Sequence, residues 1–259
     1  MKQSIFLTAV IVITLVVAIG IYWFVLGNPS NFLNGEERTK PANILGTVFT
    51  GGVIVPILIC LTLMDLTLVF ERLFSLKKAS GKSSITSFLK TVQTHLMSGR
   101  VDDAMKACDA QRGSAANIIR TGLERYRTIV SDKKLDAEKK MAETQRAIEE
   151  ATSLETPLLE RNLIALSTIA SIATMFGLLG TVIGMIRAFT ALARAGAPDA
   201  IQLSIGISEA LVNTALGLLA AIIGIVAYNF FVTKVDNFTY MIDEASYNVV
   251  QILNTRTTD

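Results

Sequence analysis

The sequence predicts an all-α integral membrane protein with four transmembrane helices and a helical cytoplasmic domain between the second and third. Three observations carry this. The 259 residues are 51% hydrophobic and only 18% charged, whereas a soluble protein carries about 25% charge. Four apolar runs, residues 4–26, 44–70, 165–190 and 205–232, each reach the ~20 residues that cross a bilayer as a helix. Between the second and third runs the composition changes: residues 71–160 hold 16 of the 24 Lys and Arg and 13 of the 22 acidic residues. Apolar positions there recur at helical spacing, with no strand alternation.

The same composition excludes several functions. A net charge of +2 without a patterned basic face argues against nucleic-acid binding. The two cysteines, Cys60 in an apolar run and Cys108 in a charged one, read as unpaired thiols rather than a disulfide framework. One histidine, His95, among cytoplasmic helical residues weakens any zinc-site or triad reading; a half-buried or solvated structural role suits it. With no Walker motif, dinucleotide fingerprint or metal-spaced cluster, no cofactor, no metal and no enzymatic activity are expected.

Taken in order, the first segment, residues 1–43, is a transmembrane helix and a short periplasmic loop. Its apolar run exceeds the ~7–15 residues of a cleaved signal peptide core, so a retained helix is expected, and Tyr22 and Trp23 suit an interfacial belt. Residues 44–74 form the second helix, loosened by Gly51, Gly52 and Pro56 and stopping at Glu71-Arg72. Residues 75–160 form the cytoplasmic domain. Ile85, Phe88, Leu89, Val92 and Leu96, then Ile118, Ile119, Leu123 and Tyr126, mark its core faces, and Gly81, Gly99 and Gly113 punctuate short helices. From about residue 133 a long charged helix is expected to run straight into the third span, bent at most locally by Pro157. Residues 161–232 hold the third and fourth spans, joined at 191–204 through Gly196 and Pro198. Residues 233–259 form a polar amphipathic cytoplasmic tail.

Arg72, Lys77, Lys78, Lys82 and Arg161 flank the second and third spans, so the positive-inside rule places the large domain and both termini in the cytoplasm. A helical bundle of this kind belongs to a bacterial inner (plasma) membrane, because outer-membrane proteins are barrels.

The third span is not apolar all round. At 100° per residue Ser167, Ser171, Thr174 and Thr181 fall near one line, and Ala173, Gly177, Gly180 and Gly184 form a second beside it. Small residues admit another backbone and hydroxyls need partners, so the helix packs in an assembly. In the fourth span Glu209 opens the outer end, Asn213 lies on nearly the same face, and Thr214, Gly217, Ala221 and Gly224 form a neighbouring small-residue stripe. Glu209 is read as buried or pore-facing, with a solvated interfacial position as the alternative. For Thr181 and Thr214, periodicity alone favours a hydroxyl bonded to its own preceding turn over a pore-lining role. Asp65 is expected to reach the cytoplasmic interface, and Arg187 and Arg194 to snorkel.

Two motifs, FGLLGTVIGMIRAF (176–189) and ISEALVNTALGLLAAIIGIVAYNFF (207–231), resemble the MotA/TolQ/ExbB proton-channel family, nearest its ExbB and TolQ branch. The similarity reaches back through LLERNLIALSTIAS to GRVDDAMKACDAQRGSAANIIRTGLERY (99–126). The resemblance implies a homopentameric subunit of a proton-driven inner-membrane motor. Its ring would surround an ExbD/TolR-like single-span partner that carries the essential aspartate and would act on a TonB- or TolA-like transducer serving the outer membrane. It also assigns Thr181 and Thr214 to the pore and makes Glu209 the acidic residue of the fourth-helix motif. The helical projection, not the resemblance, adds Thr174 and Ser171 on the hydroxyl line and Asn213 on the face of Glu209 as further pore-lining candidates. Gly177, Gly180, Gly184, Gly217 and Gly224 are left as packing positions against neighbouring ring helices.

Two departures from the family pattern stand out. Thr174 and Ile223 replace expected prolines, which predicts straighter, fully bonded helices, and the first span is extra to the usual three-span ExbB and TolQ plan. Four spans are the MotA count, so a MotA-like stator driving motility is the second reading. A non-conducting membrane scaffold is the third.

Overall fold

The computed structural model describes residues 2–38, 40–131, 135–194 and 200–258, and nearly all of them are helical. The helices are α1 (Lys2–Gly20), α2 (Ile44–Phe49), α3 (Ile54–Ala79), α4 (Ile85–Met97), α5 (Val101–Gln111), α6 (Ser114–Val130), α7 (Ala137–Glu160), α8 (Leu163–Arg194) and α9 (Ala200–Thr258). A π-helical stretch, Ile21–Leu26, extends α1. Among the described residues there is no strand, only an isolated bridge between Phe32 and Pro41. Among the described residues four helices are long and apolar enough to cross a membrane. The chain divides into two compact units: residues 1–70 with 162–229, and residues 71–161 with 230–259.

The first unit carries the apolar helices. α1 buries a narrow stripe, Val10, Thr14 and Ala18, and leaves Val12, Ile13, Val16 and Val17 exposed, as a helix with one protein-facing and one lipid-facing side does. Thr14 gives its hydroxyl hydrogen to Val10 O (2.7 Å) and lies 3.4 Å from Cys60 Sγ of α3. Above it, Tyr22 stacks on Phe49 with ring centroids 4.6 Å apart, and the Arg38 guanidinium lies 5.6 Å from the Trp23 ring centroid. In the following loop the buried Asn31 amide donates to Val25 O (2.7 Å) and Leu26 O (3.0 Å). Asn43 caps α2 through Gly46 N at 2.9 Å.

The loosened second run turns out to be a full break. α2 ends at Phe49 and α3 starts at Ile54, with Gly52 at φ +75° in the left-handed region that suits glycine. Pro56 falls in the first turn of α3, where a missing N–H is no loss. The helix itself continues past Glu71-Arg72, as α3 reaches Ala79. Arg72 is buried, chelating Glu71 through two 2.7 Å bonds and donating to Leu159 O at 3.3 Å.

The second unit is an α-helical bundle whose core reads directly from the amphipathic spacing. Phe88, Val92 and Leu96 of α4, Met105 and Cys108 of α5, and Ile119, Leu123 and Tyr126 of α6 are buried together with Met141 of α7. Ala245, Val249 and Leu253 of α9 complete this core. The polar tail is thus the last stretch of one 59-residue helix. Gly81, Gly99 and Gly113 all sit at helix ends with positive φ. Gln111 ties the first and last of these turns together, donating to Ser80 O (3.1 Å) and Ser83 O (2.8 Å) and accepting from Ser83 N (3.1 Å).

The helix α7 passes through Pro157 unbroken, as expected, but does not run straight into α8. The chain breaks at Arg161 and Asn162, with Asn162 at φ +63°. Asparagine tolerates that region better than other non-glycine residues, which makes it a natural breaking point. α8 and α9 are continuous through Thr174 and Ile223, in keeping with the missing prolines. Gly196 and Pro198, and the side chain of Arg194, lie outside the described residues.

Candidate functional site

The site is built on the antiparallel pair α8 and α9, which meet backbone to backbone. A Cβ on Gly177 would lie 3.1 Å from Gly217 Cα and Asn213 O. One on Gly217 would lie 2.7 Å from Ala173 O, and one on Gly184 2.7 Å from Gly206 O and Ala210 N. A side chain at Gly180 would fall within that of Asn213. The glycine stripe is therefore a packing surface, but α9 of the same chain already covers it, whereas neighbouring ring helices were expected there. Gly224, farther along, faces Ala170 and Asp65: its Cβ would lie 3.0 Å from Asp65 Oδ2. Asp65 itself is fully buried within the chain, where an exposed carboxyl at the end of the span was expected.

This close approach leaves the polar residues of α9 little choice of partner. Glu209 is 4% exposed and accepts from Arg187 Nη1 at 2.6 Å, so Arg187 pairs across the helices where snorkelling was expected. The Arg187 side chain is 56% exposed, so the pair is enclosed at its carboxylate end and open at its guanidinium end. Gly52 makes room for it, because a Cβ there would lie 2.7 Å from Glu209 Oε1. Asn213, one turn on, is fully buried and donates to Gly51 O at 2.9 Å. The reason is local: the break at 50–53 frees a carbonyl from the helical ladder, and a freed buried carbonyl requires a donor. Glu209 and Asn213 thus hold the turn between α2 and α3 against α8 and α9. The hint in the sequence was a cation and an anion placed at the joined ends of two consecutive apolar helices.

The hydroxyl line behaves differently. Thr181 donates to Leu178 O (2.6 Å), Thr174 to Ala170 O (3.1 Å) and Ser171 to Ser167 O (3.0 Å), each within its own helix. Thr214 departs from this pattern, reaching across to Gly177 O of α8 at 3.5 Å. A hydroxyl that has given its hydrogen to a carbonyl keeps lone pairs with which to accept another. Thr181 lies on an open apolar groove of α8 with Val182, Met185, Ile186 and Phe189. Asn213, by contrast, faces inward and lines no open surface.

His95 is half-buried, and its Nδ1 has no hydrogen-bond partner among the described residues. No group of three or more His, Cys, Asp or Glu side chains able to hold a metal ion occurs among them. Cys60 and Cys108 are both free and buried. Burial, with Asp109 beside it, pushes the Cys108 thiol up to about 12.

Comparison with known proteins converges on the same elements. Residues 110–244, a little over half of the chain, match the MotA/TolQ/ExbB proton channel family. The Tol-Pal system protein TolQ of Pseudomonas aeruginosa is 36% identical over 114 residues, covering 44% of this chain and 49% of that protein. TolQ of Haemophilus influenzae is 43% identical over 86 residues, 33% of this chain and 38% of that one. The biopolymer transport protein ExbB of Aquifex aeolicus is 36% identical over 117 residues, 45% of this chain and 71% of that protein. The chain thus spans half or less of the TolQ proteins it matches and most of the Aquifex ExbB. With α8, its polar hydroxyls and all of the α9 apolar segment inside the matched region, the chain belongs to the MotA/TolQ/ExbB proton channel family, on its TolQ and ExbB branch, a family of channel proteins rather than enzymes.

Proposed function

We propose that this chain is a proton-conducting inner-membrane motor subunit of the ExbB/TolQ kind. Five copies would form a ring around an ExbD/TolR-like single-span partner, and proton flow would drive a TonB- or TolA-type transducer toward the outer membrane. The large helical unit and both termini would lie in the cytoplasm. The observation that carries this reading is the α8–α9 pair, locked by Gly177, Gly180, Gly184 and Gly217. It presents Thr181 on an open face with its hydroxyl oxygen still able to accept. Thr181, Thr174 and Ser171 would line the path toward the partner's carboxyl, Thr214 would sit at its edge, and Glu209 with Arg187 would set the charge at the entrance.

Thr181→Val and Thr214→Val test this, since each keeps size and removes the hydroxyl. Proton-dependent work by the intact complex should fall in both while assembly persists, and unchanged work in both refutes the assignment. Native mass spectrometry of the complex tests the ring, and recovery as a monomer in mild detergent refutes it. The presence of four apolar helices rather than three favours, as a second reading, a MotA-like stator driving motility through the same channel.

A further inference from the structure

Asp65 has no part in the site above, yet it is the most enclosed carboxyl among the described residues of the apolar unit. It is 0% exposed, and neither of its oxygens has a hydrogen-bond partner among the described residues. It occupies the space that a side chain at Gly224 would fill: a Cβ on residue 224 would lie 3.0 Å from Asp65 Oδ2, 2.9 Å from Ala170 Cβ and 3.2 Å from Leu166 O. The nearest hydroxyls on α3 are committed elsewhere, Thr62 donating to Leu58 O (2.9 Å) and Thr67 to Leu63 O (2.7 Å).

No charged side chain among the described residues interacts with it. The position beside Gly224 of α9 that its carboxyl approaches is bordered by Leu166 and Ala170 of α8, none of them titratable. The next titratable residue along α9 is Tyr228, one turn on, and α1 meets α3 through Thr14 at Cys60.

An ionised carboxyl without cation or donor in such surroundings is far costlier than the neutral acid. A metal ion would require about six oxygen ligands, and no group of three or more His, Cys, Asp or Glu side chains able to hold one occurs among the described residues. The ligand that fits is a proton. We propose that Asp65 is a proton-binding site of this chain, a carboxyl held as the neutral acid against Gly224 that releases H⁺ when the seam of α3, α8 and α9 opens. It is separate from Glu209, which has Arg187 for a partner, and it stands whether or not the chain conducts.

The test treats the full chain in mild detergent with dicyclohexylcarbodiimide. The O–H of a protonated, desolvated carboxyl adds across its C=N bond, with no leaving group, and an ion-paired carboxylate does not react. Peptide mass spectrometry should find the adduct on Asp65 at neutral pH, falling several-fold as pH is raised, and little on Glu209. Infrared spectra of the same protein should show a carboxylic-acid C=O band that is lost in Asp65→Asn. No adduct at Asp65, an adduct yield indifferent to pH, or a band unchanged in Asp65→Asn overturns the proposal. Should that variant fail to fold, labelling of the unaltered chain decides alone.

Discussion

Removing the cation of the Arg187–Glu209 pair should cost more than removing the anion, and the difference can be worked from exposure. Arg187→Gln strands a carboxylate whose side chain is 6% exposed. Breaking a fully buried pair by removing one partner costs about 3–5 kcal/mol. The Arg187 end is 56% exposed, so the pair is only half enclosed, and about 2–3 kcal/mol is expected. Glu209→Gln leaves an arginine that is already more than half exposed and keeps an acceptor for it. Its cost should be the lost charge assistance, about 1 kcal/mol. The double variant no longer contains a stranded charge and should resemble Glu209→Gln, giving a coupling energy of about 2–3 kcal/mol. Both cysteines are free and buried, so thermal unfolding in mild detergent can be followed with a thiol-reactive fluorogenic dye. Equal single effects that add to the double value within about 0.5 kcal/mol would refute the reasoning.

Two further outcomes follow from packing and burial. Gly180→Ala drives a methyl into the Asn213 side chain and displaces its bond to Gly51 O. Overpacking at about 1–3 kcal/mol plus an orphaned carbonyl at about 1–3 kcal/mol should lower the melting temperature clearly, whereas Gly20→Ala, with open space around it, should not. Cys108, pushed up to about 12 from 9.0, binds its proton more tightly folded than unfolded. Its contribution to stability is therefore full below about pH 9 and is lost between the unfolded value of 9.0 and about 12. Titrating the melting temperature of the wild type against Cys108→Ala checks this, and the wild type should lose more stability than the variant across that window.

Much of the architecture was legible in the chain because it follows from local rules. Apolar runs long enough to cross a bilayer are helical, since lipid offers the backbone no other partner. Most of the buried face of α4 and the centre of that of α6 followed from 3.6-fold spacing, and the positive-φ glycines between the helices of the second unit marked their ends. The family motifs likewise sit in consecutive residues of α8 and α9.

What could not be read was identity of partner. Gly177, Gly180 and Gly184 announce close approach, but only the fold shows that α9 of the same chain makes it. Arg187 and Asp65 look alike as ionisable residues in apolar helices, yet one finds Glu209 and the other finds Gly224 and no donor. The full break at 50–53, and the Asn213 amide that satisfies it, depend on two segments far apart in sequence. By itself the sequence determined which stretches are helical and which faces seek company, because those follow from each residue's neighbours along the chain. The tertiary structure alone decided what fills each face, because desolvation and hydrogen-bond satisfaction are properties of the packed site and not of the residue.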